Sequence, residues 1–124
     1  MNYLVSKDTK NLYNALLSLK NEEECKRFLR DILTKAEIQE FTNRLKVANM
    51  LTNKVSYKKI EKETGMSSTT IARISKWLAK GMGGYQMVIN RLNNKSMNYK
   101  LSTKKQLESE HHTPTSRGGV IFGA

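Results

Sequence analysis

Apolar residues along the chain recur at spacings of three and four, and each run is bounded by a polar cap or a break. Leu12, Leu16 and Leu19, with Tyr13 and Leu17 beside them, predict a first helix in "DTKNLYNALLSL". Asn21 has the character of an N-cap, and Glu22, Glu23 and Glu24 complement the positive end of the helix that follows. Phe28, Leu29, Ile32 and Leu33 supply the inner face of that second helix. Thr34 and Glu37 have the spacing of a reciprocal capping box and open a third. Ile38, Phe41, Leu45 and Ala48 line one face of it, while Val47 and Met50 lie well round the wheel. A helix apolar on more than one side must be buried on more than one side. In a chain of 124 residues a second subunit can supply that cover.

The second half continues in shorter pieces. Ser56 predicts the cap of a fourth helix, "YKKIEKE", which Gly65 ends by taking the left-handed conformation. Ser67 caps a fifth helix running to about Lys80. "GMGG" then breaks the chain, and "YQMVINRL" predicts a sixth helix with Met87, Val88 and Leu92 buried. After Asn93 the periodicity fails, and the only proline and three of the seven glycines fall there. The expectation is an all-α domain over residues 1–92 and a flexible, disordered basic tail over 93–124.

Charge adds a partner to this outline. The formal net charge is +11, and residues 34–92 hold 11 basic against 4 acidic side chains, so the excess sits within the predicted folded part. A polyanion is the favoured partner. The single cysteine, Cys25, excludes an intrachain disulfide, and no apolar run has the length of a membrane span. With no signal-peptide pattern at the N-terminus, the expected location is the cytoplasm.

Two helices joined by a glycine-containing turn, here Thr64-Gly65-Met66, form a helix-turn-helix pattern. Ile60, Met66, Ile71 and Ile74 can lock the pair together. At about 100° per residue, Ile71, Ile74 and Leu78 fall on one side of the fifth helix and Thr69, Arg73, Lys76 and Lys80 on the other. The outward face is polar, basic and free of acids. Ser67, Ser68, Thr69 and Thr70 open it with short hydroxyl side chains that let a helix end approach base edges closely. Thr69, Thr70, Arg73 and Ser68 are the expected base readers; Lys58, Lys59, Lys76 and Lys80 are the expected phosphate holders.

The segments "FLRDILTKAEIQEFTNRLKVANML", "SYKKIEKETGMSSTTIARISKWL" and "GMGGY", taken in order and spacing, resemble the Trp repressor superfamily, and within it the small Trp repressor-like group of the YerC/YecD type. The resemblance covers roughly residues 10 to 92. It implies a six-helix subunit of an intertwined homodimer that presents two recognition helices to double-stranded DNA, and a palindromic operator matching the dimer symmetry. It also implies equivalents of a tryptophan pocket. The two arginines that hold the corepressor match Arg44 and Arg73, and the threonine opening the third helix matches Thr34. Ile74 and Trp77, however, stand where the family has a glycine and a serine. A branched side chain and an indole in place of small residues argue against L-tryptophan as effector. Two readings of Trp77 follow: its ring fills the indole slot and holds the reading helix, or it packs in the core or dimer interface.

No constellation supports an enzyme. His111-His112 has no partner ligands at metal spacing, Cys25 has no nearby histidine, and "GMGGY" lacks the spacing of a phosphate loop. No cofactor or metal is expected. The leading expectation is a transcriptional repressor. An RNA-binding or ribosome-associated module shares the charge but needs an aromatic stacking platform. An adaptor acting through the tail is the third class.

Overall fold

The computed structural model describes residues 2–95. A 3-10 turn at Tyr3–Val5 leads into five helices: α1 Lys7–Leu17, α2 Glu22–Ile32, α3 Lys35–Thr52, α4 Tyr57–Thr64 and α5 Ser68–Lys80. A sixth, α6, spans 84–95. There is no strand among the described residues, as the three-and-four periodicity predicts. Residues 93–95 extend α6 past the boundary expected at 92; the remainder of the expected tail lies outside the described residues. Contacts divide the chain into two units inside α3, between Phe41 and Thr42.

In the first unit the local signals are all satisfied. Ser6 Oγ accepts the Thr9 N–H at 3.0 Å, capping α1. Asn21 Oδ1 accepts the Glu24 N–H at 2.9 Å, capping α2 as expected. Thr34 and Glu37 exchange bonds reciprocally. The Thr34 N–H donates to Glu37 Oε1 at 2.9 Å, and the Glu37 N–H donates to Thr34 Oγ1 at 3.1 Å. The backbone N–H and the hydroxyl of Thr34 hold the Glu37 carboxyl below its ordinary pKa of 4.5. Tertiary burial is another matter. No residue of α1 or α2 is buried, Leu17 is 82% exposed and Ile32, expected on an inner face, is 50% exposed.

The second unit has a closed core. Val47, Ala48, Ile60, Ile71 and Ile89 are fully buried and Ile74 is 1% exposed, with Leu45, Met50, Leu51, Val55, Met66, Leu78 and Tyr85 packed around them. Burial of both Val47 and Ala48 bears out the doubly apolar reading of α3. In α6 the register differs from expectation: Ile89 is the buried residue, while Met87 and Val88 are exposed. The inward stripe is Tyr85, Ile89 and half-buried Leu92, spaced four and three. Met87, two residues before Ile89, lies off that stripe; Val88, three after Tyr85 and four before Leu92, lies at its edge.

Helix α3 ends in a Schellman pattern. The Val55 N–H reaches Met50 O and the Lys54 N–H reaches Leu51 O, both at 3.0 Å, with Lys54 at φ 64. A lysine thus occupies the left-handed position where glycine is usual, which is why the sequence shows no stop signal there.

Candidate nucleic-acid interface

The interface is built on a turn of few residues. Ser56 Oγ accepts the Lys59 N–H at 3.3 Å and starts α4; Gly65, at φ 74 and ψ 3, ends it. The Gly65 N–H donates to Glu61 O at 2.9 Å. Thr64 tightens the turn from both sides: its hydroxyl donates to Ile60 O at 2.7 Å and accepts the Met66 N–H at 3.2 Å. Ser67 Oγ then accepts the Thr70 N–H at 3.2 Å and starts α5. Helices α4 and α5 pack on each other through Ile60, Ile71 and Ile74. The apolar lock expected across the turn is therefore present.

With the inner face of α5 so committed, the outer face is defined. Ser67, Ser68, Thr69, Arg73, Lys76 and Lys80 are all exposed, as are Lys58 and Lys59 on α4. Thr70 is half-buried, and its hydroxyl shares a 3.0 Å hydrogen bond with Ser67 Oγ. The first turn of α5 thus divides: Thr70 closes the cap while Ser68 and Thr69 face outward. Residues 54–80 hold seven basic side chains against two acidic, a net +5. Lys59 Nζ lies 4.0 Å from Glu63 Oε1, an exposed pair of little energetic weight. No acid lies on α5 itself, so its cationic edge is not neutralised from within the helix.

Of the residues matched to a corepressor pocket, Arg44, Arg73, Ile74 and Trp77 lie in the second unit and Thr34 in the first. Thr34 belongs to the first unit, where both its N–H and its hydroxyl are taken by Glu37. Ile74 is a core residue. Arg73 is on the exposed face. Arg44, half-buried on α3, lies over the Trp77 ring with its guanidinium carbon 5.7 Å from the centroid. Trp77 is 41% exposed, outside the buried cluster. It lines an apolar hollow of about 540 Å³ with Leu45, Gly81, Met82, Gly84, Tyr85 and Val88. Burial pushes the Tyr85 hydroxyl above its ordinary pKa, and the charge of Arg44 opposes that shift. Sequence reasoning missed Gln86, whose Nε2 donates to Leu78 O at 2.9 Å, and the pairing of Arg44 with Trp77, which no local spacing announces. Among the described residues no helix is long and apolar enough to cross a membrane, and no group of three metal-ligating side chains occurs.

The chain is similar in sequence and fold to known proteins. Residues 7–93 match the model of the Trp repressor protein family. The uncharacterized protein YerC of Bacillus subtilis (strain 168) is 45% identical over 89 residues, which is 72% of this chain and 86% of that protein. The solved structure of a TrpR-like protein from Eubacterium eligens superposes with a TM-score of 0.72 at 36% identity, covering 75% of this chain and 96% of that one. A second, from Staphylococcus aureus, gives 0.69 at 39% identity, covering 73% and 90%. With the family model matched over residues 7–93 and a relative 45% identical over 89 residues, the chain belongs to the Trp repressor family of helix-turn-helix DNA-binding regulators.

Proposed function

We propose that the protein is a sequence-specific, homodimeric repressor that reads a palindromic operator in double-stranded DNA through α5. The observation that carries this reading is the division of α5: Ile71 and Ile74 buried against α4, and an acid-free outer face from Ser67 to Lys80 exposed. An α-helix fits the major groove, and its N-terminal residues meet base edges. Ser68, Thr69 and Arg73 are the readers, with Thr70 supporting the first turn through its bond to Ser67. Lys58, Lys59, Lys76 and Lys80 neutralise backbone phosphates. Repression follows from occupancy, since a protein seated on an operator excludes other proteins from it.

The dimer is supported by the first unit. Its two helices carry Leu12, Leu16, Leu17 and Ile32 exposed and bury nothing, so a second copy is the natural cover for that apolar surface. Binding then places two α5 helices on half-sites one helical turn, about 34 Å, apart.

Selection from a random duplex pool tests the reading. The expected product is a palindrome. Arg73→Ala should lower affinity for the selected site by about 1–3 kcal/mol and relax preference at one position per half-site, whereas Lys58→Ala should weaken all duplexes about equally. A uniform loss from both substitutions would show that Arg73 does not read bases.

A further inference from the structure

The C-terminal half of α5 is fastened by contacts that its reading face does not use. Trp77 lies one turn beyond Arg73 and one turn before the helix ends. The guanidinium of Arg44, on α3, is 5.7 Å from the centroid of its indole, within cation–π reach of about 6 Å. The Trp77 carbonyl accepts the Gly81 N–H at 2.8 Å, and a Cβ at Gly81 would overlap that carbonyl oxygen, so this stop requires glycine. The next carbonyl, that of Leu78, accepts Gln86 Nε2 of α6 at 2.9 Å. Arg44 also acts electrostatically on Tyr85 of α6. Three helices therefore meet at the last turn of α5.

The mechanical consequence is direct. At a rise of about 1.5 Å per residue, α5 is about 18 Å from Ser68 to Lys80. Its apolar face against α4 is held by non-directional contacts. A rotation of about 10° about Trp77, about 13.5 Å along the helix from Ser68, would move the Ser68 end by about 2.4 Å, far outside the distance window of a base-edge hydrogen bond. The Arg44–Trp77 stack and the Gln86 cap oppose that rotation with directional contacts.

We propose that Trp77 is a positioning residue for DNA reading: held under Arg44 at the flank of the reading face, it fixes the attitude of α5, so that the reading face is presented in the free protein without any small-molecule ligand. The inference rests on the DNA-reading role of α5. It concerns how the helix is held, and it assigns Trp77 no contact with bases.

Trp77 is the only tryptophan, so intrinsic fluorescence reports this one contact. The test compares Trp77→Leu, Trp77→Phe and Arg44→Gln with the wild type. Each is measured for affinity to the selected operator and to a random duplex, with thermal unfolding as a check on folding. Loss of a cation–π contact at a partly exposed site corresponds to a change of about three- to tenfold. Trp77→Leu should lose operator affinity by about that factor while random-duplex affinity stays within about twofold, because lysine–phosphate contacts tolerate a tilt. Trp77→Phe should recover most of the loss. Arg44→Gln should show the same selective loss and shift the Trp77 emission of the free protein. Wild-type affinity should be the same with and without added L-tryptophan or indole.

Unchanged operator affinity in Trp77→Leu, or an equal loss on both duplexes, overturns the proposal. So does a wild type that gains affinity on addition of L-tryptophan. If Trp77→Leu does not fold, Arg44→Gln decides: unchanged emission with unchanged operator affinity overturns it. A wild type that selects no duplex defeats the DNA-reading role itself, and this inference with it. Selective binding by the wild type combined with an indifferent Trp77→Leu defeats the inference alone.

Discussion

Two residues of the second unit share a left-handed backbone but differ in suitability for it. Gly65 sits at φ 74 with open space around the position of a Cβ. Alanine there would meet no neighbour, so its cost is conformational, about 1–2 kcal/mol. Lys54 holds φ 64 with a side chain in place. Lys54→Gly should stabilise the fold by about 0.5–1 kcal/mol, the relief of that conformation less the extra entropy glycine loses. Urea denaturation of Gly65→Ala and Lys54→Gly should move the midpoint in opposite directions. Asn49 is a third residue of note: it is 7% exposed and its Oδ1 is buried without a hydrogen-bond partner. An unsatisfied buried acceptor is costly.

At the scale of elements, caps and registers behave differently. Each expected cap, at Asn21, Thr34, Ser56 and Ser67, is formed, because a cap is a contact among residues three apart. The Thr34–Glu37 box should also respond to pH. The Glu37 pKa is lowered in the fold, so its contribution is complete above the ordinary value of 4.5 and lost as pH falls through the lowered one. The Thr34 amide resonance should follow that titration with a midpoint below 4.5; a midpoint at or above it would mean the box is open in solution. The register of α6 carries the larger energy. Ile89→Ala should cost about 2–5 kcal/mol, and Met87→Ala, at an exposed site, about 0.5 kcal/mol or less. Comparable losses from the two would return α6 to the register expected from sequence.

The whole molecule is an unequal pair of units. Among the described residues the second has a core of six buried aliphatic side chains; the first, from Met1 to Phe41, leaves Leu12, Leu16 and Leu17 exposed. Such a chain should sediment as a dimer. Leu16→Asp, which places a charge on the exposed stripe of α1, should shift it toward monomer at micromolar concentration. Operator affinity should fall in parallel, because two linked half-sites bind far more tightly than one. A variant that stays dimeric would move the interface away from α1. Basic charge acts at the same scale. Each lysine that holds a phosphate should contribute about one unit to the slope of log affinity against log salt.

Local chemistry was legible along the chain. The sequence by itself determined the helix order, the four caps, the Gly65 turn and the polarity of α5, since each depends on neighbours within about one helical turn. It did not reveal the Schellman end at Lys54, where a lysine takes the place of the usual glycine. Nor did it reveal which side of α6 is buried: Met87, Val88 and Ile89 are adjacent apolar residues, and only packing against the core selects Ile89. The meeting of Arg44 with Trp77 joins residues 33 positions apart in the chain, and no periodicity encodes it. Tertiary structure decided these points because a one-dimensional pattern specifies which faces are apolar, whereas the partner of each face is set by how the helices pack in space.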